Sequence, residues 1–146
     1  MSALPDRSVY TYRSGATGLF RDNGQPEQTL LGAQYMGGYG SAGDVVVSNN
    51  WLFAGTGLAA GARIANLSYN EVDVVATTYP VPAGLTVLSH SPLSSYQNQP
   101  ATGRFHDIVF HVKPSGARVF SAGTQGWCPG FLGRAGIPSS VVRRMA

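Results

Sequence analysis

A single cysteine, Cys128, stands in 146 residues. That count rules out an internal disulfide and the cysteine-rich kinds of zinc site. Trp127-Cys128-Pro129 offers no basic neighbour to activate the thiol. It therefore reads as an inert, packed cysteine suited to a reducing compartment. Charge is also scarce: 12% of residues are charged, against roughly 25% in an average domain. A surface so poor in charge suggests that part of it faces another domain or subunit. The net charge of +3 rests partly on Arg118, Arg134, Arg143 and Arg144, late in the chain. These are too few and too scattered for the clustered basic face that nucleic acid requires. Long apolar runs are missing as well. No stretch reaches the roughly 18 residues of a membrane span, and MSALPDRSVYTYRSG lacks a run of signal-peptide length. The expectation is a cytoplasmic protein with neither membrane nor nucleic acid as partner. G-x-S-x-G is absent, which removes the serine nucleophile elbow. Heptads and internal repeats are absent too.

What the chain does have is apolar and turn-rich. Hydrophobic residues make up 43%, with 19 Gly and 9 Pro. The length allows one domain with one core, and the composition points to strands and loops. Residues 1–23 are polar and turn-rich and are expected to be poorly ordered. Pro26 and Gly32 bracket a short helix over Glu27 to Leu31. Gly38-Tyr39-Gly40-Ser41-Ala42-Gly43 matches G-x-G-x-x-G, yet β-branched Val45-Val46-Val47 follows where a dinucleotide site needs a helix. A loop between strands is the reading. Strands are expected over Val45 to Ser48, Glu71 to Ala76 and Leu85 to Ser89, with Trp51 to Phe53 extending one strand or starting the next. Ser91 to Gly103 reads as a long mobile loop. Arg104 to Lys113 and Ala117 to Ala122 form a β-hairpin turned by Pro114-Ser115-Gly116. Its alternation puts His106, Ile108 and Phe110 on one face and Phe105, Asp107, Val109 and His111 on the other. Ser139 or Ser140 caps a short terminal helix over Val141 to Met145.

The stretch around which the rest is organised is Trp51 to Asp73. It runs from an apolar triplet through Gly55-Thr56-Gly57 to Glu71 and Asp73, two carboxylates in an apolar run. Residues two apart share one strand face, and paired carboxylates divide acid and base roles when burial raises one pKa. A solvated strand edge is the blander account of the same spacing. His106 and His111 lie on opposite strand faces, so one metal cannot take both. His90 sits at a strand end, where a hydrogen-bonded structural role is the simpler reading. Trp51 and Trp127 read as core anchors.

Four blocks also carry a resemblance. LLGAQYMGG (Leu30 to Gly38), WLFAGTGL, RIANLSYNEVD and SGARVFSAGTQGW (Ser115 to Trp127) fall in one order. Together they resemble the C-terminal, amidotransferase-like region of the N,N-dimethylformamidase large subunit and its relatives. The resemblance implies an α/β, β-rich chain, the C-terminal part of a class I amidotransferase-like (flavodoxin-like) domain with a prominent β-hairpin. It implies hydrolysis of small amide C–N bonds in the complete form, with Glu71 as the catalytic acid or base. Asp73, Asn50 and Thr56 are the substrate-binding candidates. The motif around Glu71 departs from the family's Gly-Tyr-Glu-Val-Asp, reading Tyr69-Asn70-Glu71-Val72-Asp73. Asn50 stands where relatives carry His, and Ala54 where they often carry an acid. The family's iron is held by two tyrosines and a glutamate placed upstream, so Tyr35, Tyr39 and Tyr69 are not ligands and no cofactor is expected in this chain. A single, partial domain would leave an open sheet edge, so a partner is expected: another copy, or a separately encoded remainder. The alternatives are a non-catalytic binding or assembly module with a degraded site, and a β-rich structural subunit.

Overall fold

The computed structural model describes Arg21, residues 24–35 and residues 39–146. The expectation for residues 1–23 therefore lies, apart from Arg21, outside the described residues, as does the first glycine of the G-x-G-x-x-G match. The fold opens with α1 (Gln28–Leu31), closed by Gly32 in the left-handed conformation at φ 88°. β1 (Gln34–Tyr35) and β2 (Ser41–Val46) follow. A strand does follow the glycine motif, because Val45 and Val46 fit a pleated, half-buried surface.

β3 (Arg63–Asn70) and β4 (Asp73–Val74) come next. They correct the strand expected over Glu71 to Ala76. Only Asp73 and Val74 form a strand there, with Val72 in an isolated bridge, and the long strand is the RIANLSYN run before them. Asn66 and Asn70 take positive φ of 58° and 64°, a conformation asparagine tolerates. This kinks β3 and hides its alternation from the sequence. Trp51–Phe53 is a 3-10 turn and not a strand.

β5 (Thr86–Tyr96) overturns the expected mobile loop. It runs for 11 residues through Ser91 and Pro92, then turns into β6 (Gln99–Pro100). Tyr96 pairs with Gln99, and Gln97 and Asn98 between them have φ of 53° and 61°. Two positive φ values in a two-residue turn match the twist of a hairpin. Serine and proline content concealed a strand whose polarity reflects partial exposure.

β7 (Phe105–Val112) and β8 (Arg118–Ser121) form the expected hairpin. α2 (Trp127–Phe131) and α3 (Ser139–Met145) complete the chain. α3 lies where the terminal helix was expected, although neither Ser139 nor Ser140 caps it with its side chain.

The main sheet has the order β3-β2-β5-β7-β8, with β6 added to β5, and β1 pairs with β4 in a separate ribbon. The sheet is curled like half a barrel. Register shifts between β2 and β3, β2 and β5, and β5 and β7 supply the curl, since bulges sharpen local twist. Every pairing among the described residues is antiparallel. The β-rich character and the hairpin are as expected, whereas a flavodoxin-like fold calls for parallel strands joined through helices.

On one face of the sheet, Val45, Ile64, Leu67, Leu88 and Ile108 pack with Leu52, Phe53, Ile137 and Val142. On the other, His111 Nε2–H donates to the carbonyl of Leu30 at 3.1 Å, and Gly32 lies against Val109 and His111. Both faces of β7 are therefore covered, and His106 to Val109 are all buried.

Two further expectations change. Cys128 is exposed on α2. Trp51 is 55% exposed and meets Phe110 edge-on at 5.4 Å, forming the rim of the core and not an anchor within it.

Candidate functional site

Glu71 and Asp73 sit where β3 ends and β4 begins, and a later segment holds them there. Thr124 Oγ1 accepts the Tyr69 N–H at 2.9 Å and donates toward the carbonyls of Leu67 and Tyr69. Val72 bridges to Thr124, and Asp73 N–H donates to the carbonyl of Gly123 at 2.8 Å. Gln125 Nε2 donates to the Glu71 carboxylate at 2.7 Å, while Asn70 Nδ2 donates to Gln125 Oε1 at 2.7 Å. Two glycines permit this contact. A Cβ on Gly126 would overlap the carbonyl oxygen of Leu67, and one on Gly123 that of Asp107. The RIANLSYNEVD and SAGTQGW blocks thus meet in space at Glu71.

From the other side come α1 and β1. Tyr35 pairs with Asp73 across the β1–β4 ribbon, and its hydroxyl lies within the electrostatic reach of Glu71. Glu27 accepts from the buried amide of Gln34 and forms an ion pair with Arg21 at 3.5 Å. Arg21 also donates to the carbonyl of Tyr35 at 2.7 Å. Gln28, fully buried, accepts the Ala76 N–H at 2.7 Å and donates to the carbonyls of Ala76 and Tyr79. That amide fixes the chain just after β4.

The electrostatics follow from this crowding. Burial raises the Asp73 carboxyl to about 6, helped by the negative charges of Glu27 and Glu71. Burial likewise raises the Tyr35 hydroxyl, with the charge of Glu71 adding to it. Asp73 therefore holds its proton to higher pH than an ordinary carboxyl, and the Glu71 carboxylate accepts a hydrogen bond from Gln125. A proton holder beside an acceptor is the arrangement that acid–base chemistry needs.

Asn50 and Thr56 lie elsewhere. Ser41 pairs with Asn70 at one end of the β2–β3 hairpin and Val46 with Arg63 at the other. Residues 47–62 connect the strands at that second end, opposite Glu71. The Asn50 amide donates to the Leu88 carbonyl at 2.6 Å and its oxygen accepts the Leu52 N–H at 3.0 Å. The Thr56 hydroxyl donates to Phe53 and accepts from Leu58 N–H. Among the described residues, these hydrogen bonds tie both side chains to their own turn and to β5, away from Glu71 and Asp73.

Sequence reasoning did not find Glu27, Tyr35 or Gln125. Gln125 lay within a quoted block, but nothing in its spacing reveals a partner 54 positions earlier. Among the described residues no three His, Cys, Asp or Glu side chains are arranged to hold a metal. No helix among the described residues is long and apolar enough to cross a membrane.

Comparison with known proteins adds one match. The family model described as N,N-dimethylformamidase beta subunit-like, C-terminal, matches residues 3–137. No curated protein matches the chain.

Proposed function

This chain belongs to the N,N-dimethylformamidase beta subunit-like, C-terminal family, and from that membership we propose that it is part of an amidohydrolase subunit acting on small amide C–N bonds in the complete protein. The observation that carries the proposal is the Glu71–Asp73 pair, with Asp73 raised to about 6 beside a hydrogen-bonded Glu71. In this reading Glu71 accepts a proton from water as the water oxygen attacks the amide carbon. Asp73, while protonated, donates a hydrogen bond to the amide oxygen, which gains negative charge as the C–O bond forms. Glu71 then returns the proton to the leaving nitrogen as the C–N bond breaks, giving a carboxylic acid and an amine.

The family's description as beta subunit-like supports an assembly of several subunits. The short edge strand β8, with Phe120 39% exposed, is a surface such an assembly would cover. The class I amidotransferase-like, flavodoxin-like part falls, in this reading, to other portions of the complete protein.

The test is N,N-dimethylformamide hydrolysis by the complete assembly, followed as dimethylamine release. Glu71→Gln abolishes release while the assembly stays intact. Wild-type turnover in that variant rejects the role of Glu71.

A second reading, a non-catalytic assembly module, is favoured by Asn50, whose side chain is consumed by capping a turn and holding Leu88. It predicts stable assemblies in which Glu71→Gln changes nothing because this chain contributes no catalytic group.

A further inference from the structure

Outside the acid cluster, β5 and β7 build a second arrangement of titratable groups. His90 and Asp107 are cross-strand partners, and His90 Nδ1 lies 2.6 Å from Asp107 Oδ1. The Asp107 side chain is 3% exposed and that of His90 55%. The second Asp107 oxygen accepts the Val75 backbone N–H at 2.8 Å. An ionised carboxylate can only accept, so with Asp107 charged the Nδ1–H of His90 is the donor. The neutral ring then carries its lone pair on Nε2, at the edge turned away from Asp107. No partner takes that atom among the described residues. Phe105 stacks on the ring, with centroids 4.1 Å apart and planes at 19°. The Nδ1 contact to Asp107 and the stacked Phe105 together hold the ring in place.

Holding Val75 N–H alone would not call for a charge. A neutral acceptor would serve there without the several kcal/mol that burying a carboxylate costs. The buried charge is accounted for by the imidazole it orients, the support that lets a histidine act as a base.

We propose that His90 and Asp107 form an acid–base centre, separate from Glu71 and Asp73, that hydrolyses small aryl esters. His90 Nε2 takes a proton from water as the water oxygen bonds to the acyl carbon. The tetrahedral adduct expels the aryl oxide as its C–O bond breaks, and the imidazolium returns the proton to that oxygen. Ester and water give acid and phenol, with the ring regenerated. Asp107 positions the ring and touches no substrate. Phe105, 36% exposed, offers apolar surface for the aryl group beside the base.

The probe is p-nitrophenyl acetate with the full chain. Positioned general bases contribute roughly 100-fold or more, so the protein is expected to exceed an equal concentration of free imidazole by at least about tenfold. His90→Gln, at an exposed position, retains the fold by circular dichroism and drops to the buffer rate. Asp107→Asn lowers the rate about tenfold and shifts His90 from the Nδ1–H tautomer, read from the ring nitrogens by NMR, which a packing defect elsewhere would not do. A wild-type rate no greater than that of free imidazole, or an undiminished rate in His90→Gln, overturns the proposal. If Asp107→Asn fails to fold, the ratio of wild type to His90→Gln decides alone. Neither assay depends on amide hydrolysis, so failure of that reading leaves this one standing.

Discussion

Gln125 donates its side-chain amide to the carboxylate of Glu71 at 2.7 Å, across 54 positions of sequence. The contact joins two segments that are separate in the chain, the end of β3 and the turn before α2. Gln125 thereby fixes which way the Glu71 carboxylate faces and leaves Asp73 to be set by burial against β1. An acid pair on a strand edge becomes an acid pair with distinct neighbours.

Asp73 makes stability depend on pH. Its carboxyl is raised from 3.8 to about 6 in the folded chain, so the folded state binds the proton more tightly than the unfolded state does. The stabilisation is fully present below pH 3.8 and is lost as pH rises through about 6. A shift of this size corresponds to on the order of 3 kcal/mol. Urea midpoints of wild type and Asp73→Asn, compared from pH 4 to pH 8, should show the variant gaining on wild type as pH rises. Parallel curves would show that the carboxyl is not raised.

A different histidine governs the acid limb. Ser68 Oγ lies 2.7 Å from His106 Nδ1, and His106 Nε2–H donates to the Ala122 carbonyl at 2.8 Å. Burial lowers the His106 pKa, against smaller opposing effects of the Ala122 carbonyl and Asp107. The buried ring is neutral, so its contribution is present above about pH 6.5 and falls away on acidification as the unfolded chain takes up the proton. Ser68→Ala strands Nδ1 in the core and should cost about 1–3 kcal/mol, read from denaturant unfolding at pH 7. A variant as stable as wild type would mean that Nδ1 finds another donor.

Gly126 tests the junction itself. A Cβ there overlaps the Leu67 carbonyl oxygen, so Gly126→Ala must push the turn away from β3. The expected loss is about 2–3 kcal/mol, with faster amide exchange at Tyr69 and Asp73, whose N–H groups donate to Thr124 and Gly123. Gly57 has open space around it and a φ of 78°, so Gly57→Ala should cost only about 1 kcal/mol and leave those amides protected. Equal protection in both variants would sink the close-approach account.

The pattern of success and failure has a physical basis. The β7–β8 hairpin was legible because Phe105 to Val112 is rich in β-branched and aromatic residues and Pro114-Ser115-Gly116 marks a turn. The start of β5 was legible in Leu85 to Ser89, but its second half was not, since Ser91, Pro92, Ser94 and Ser95 are loop residues by composition, and only pairing with neighbouring strands makes them a strand. Cys128 was expected to be packed and is exposed. Its hydrophobic character said nothing about which side of the short helix α2 would meet the core.

From its sequence alone, this chain was bound to be a β-rich, turn-punctuated domain without disulfides and with carboxylates at positions 71 and 73, because composition and side-chain period act locally. That burial raises Asp73, and that Tyr35, Glu27 and Gln125 lie around the pair, was decided only when distant segments packed together. Burial and charge proximity are properties of space, and no spacing along a chain contains them.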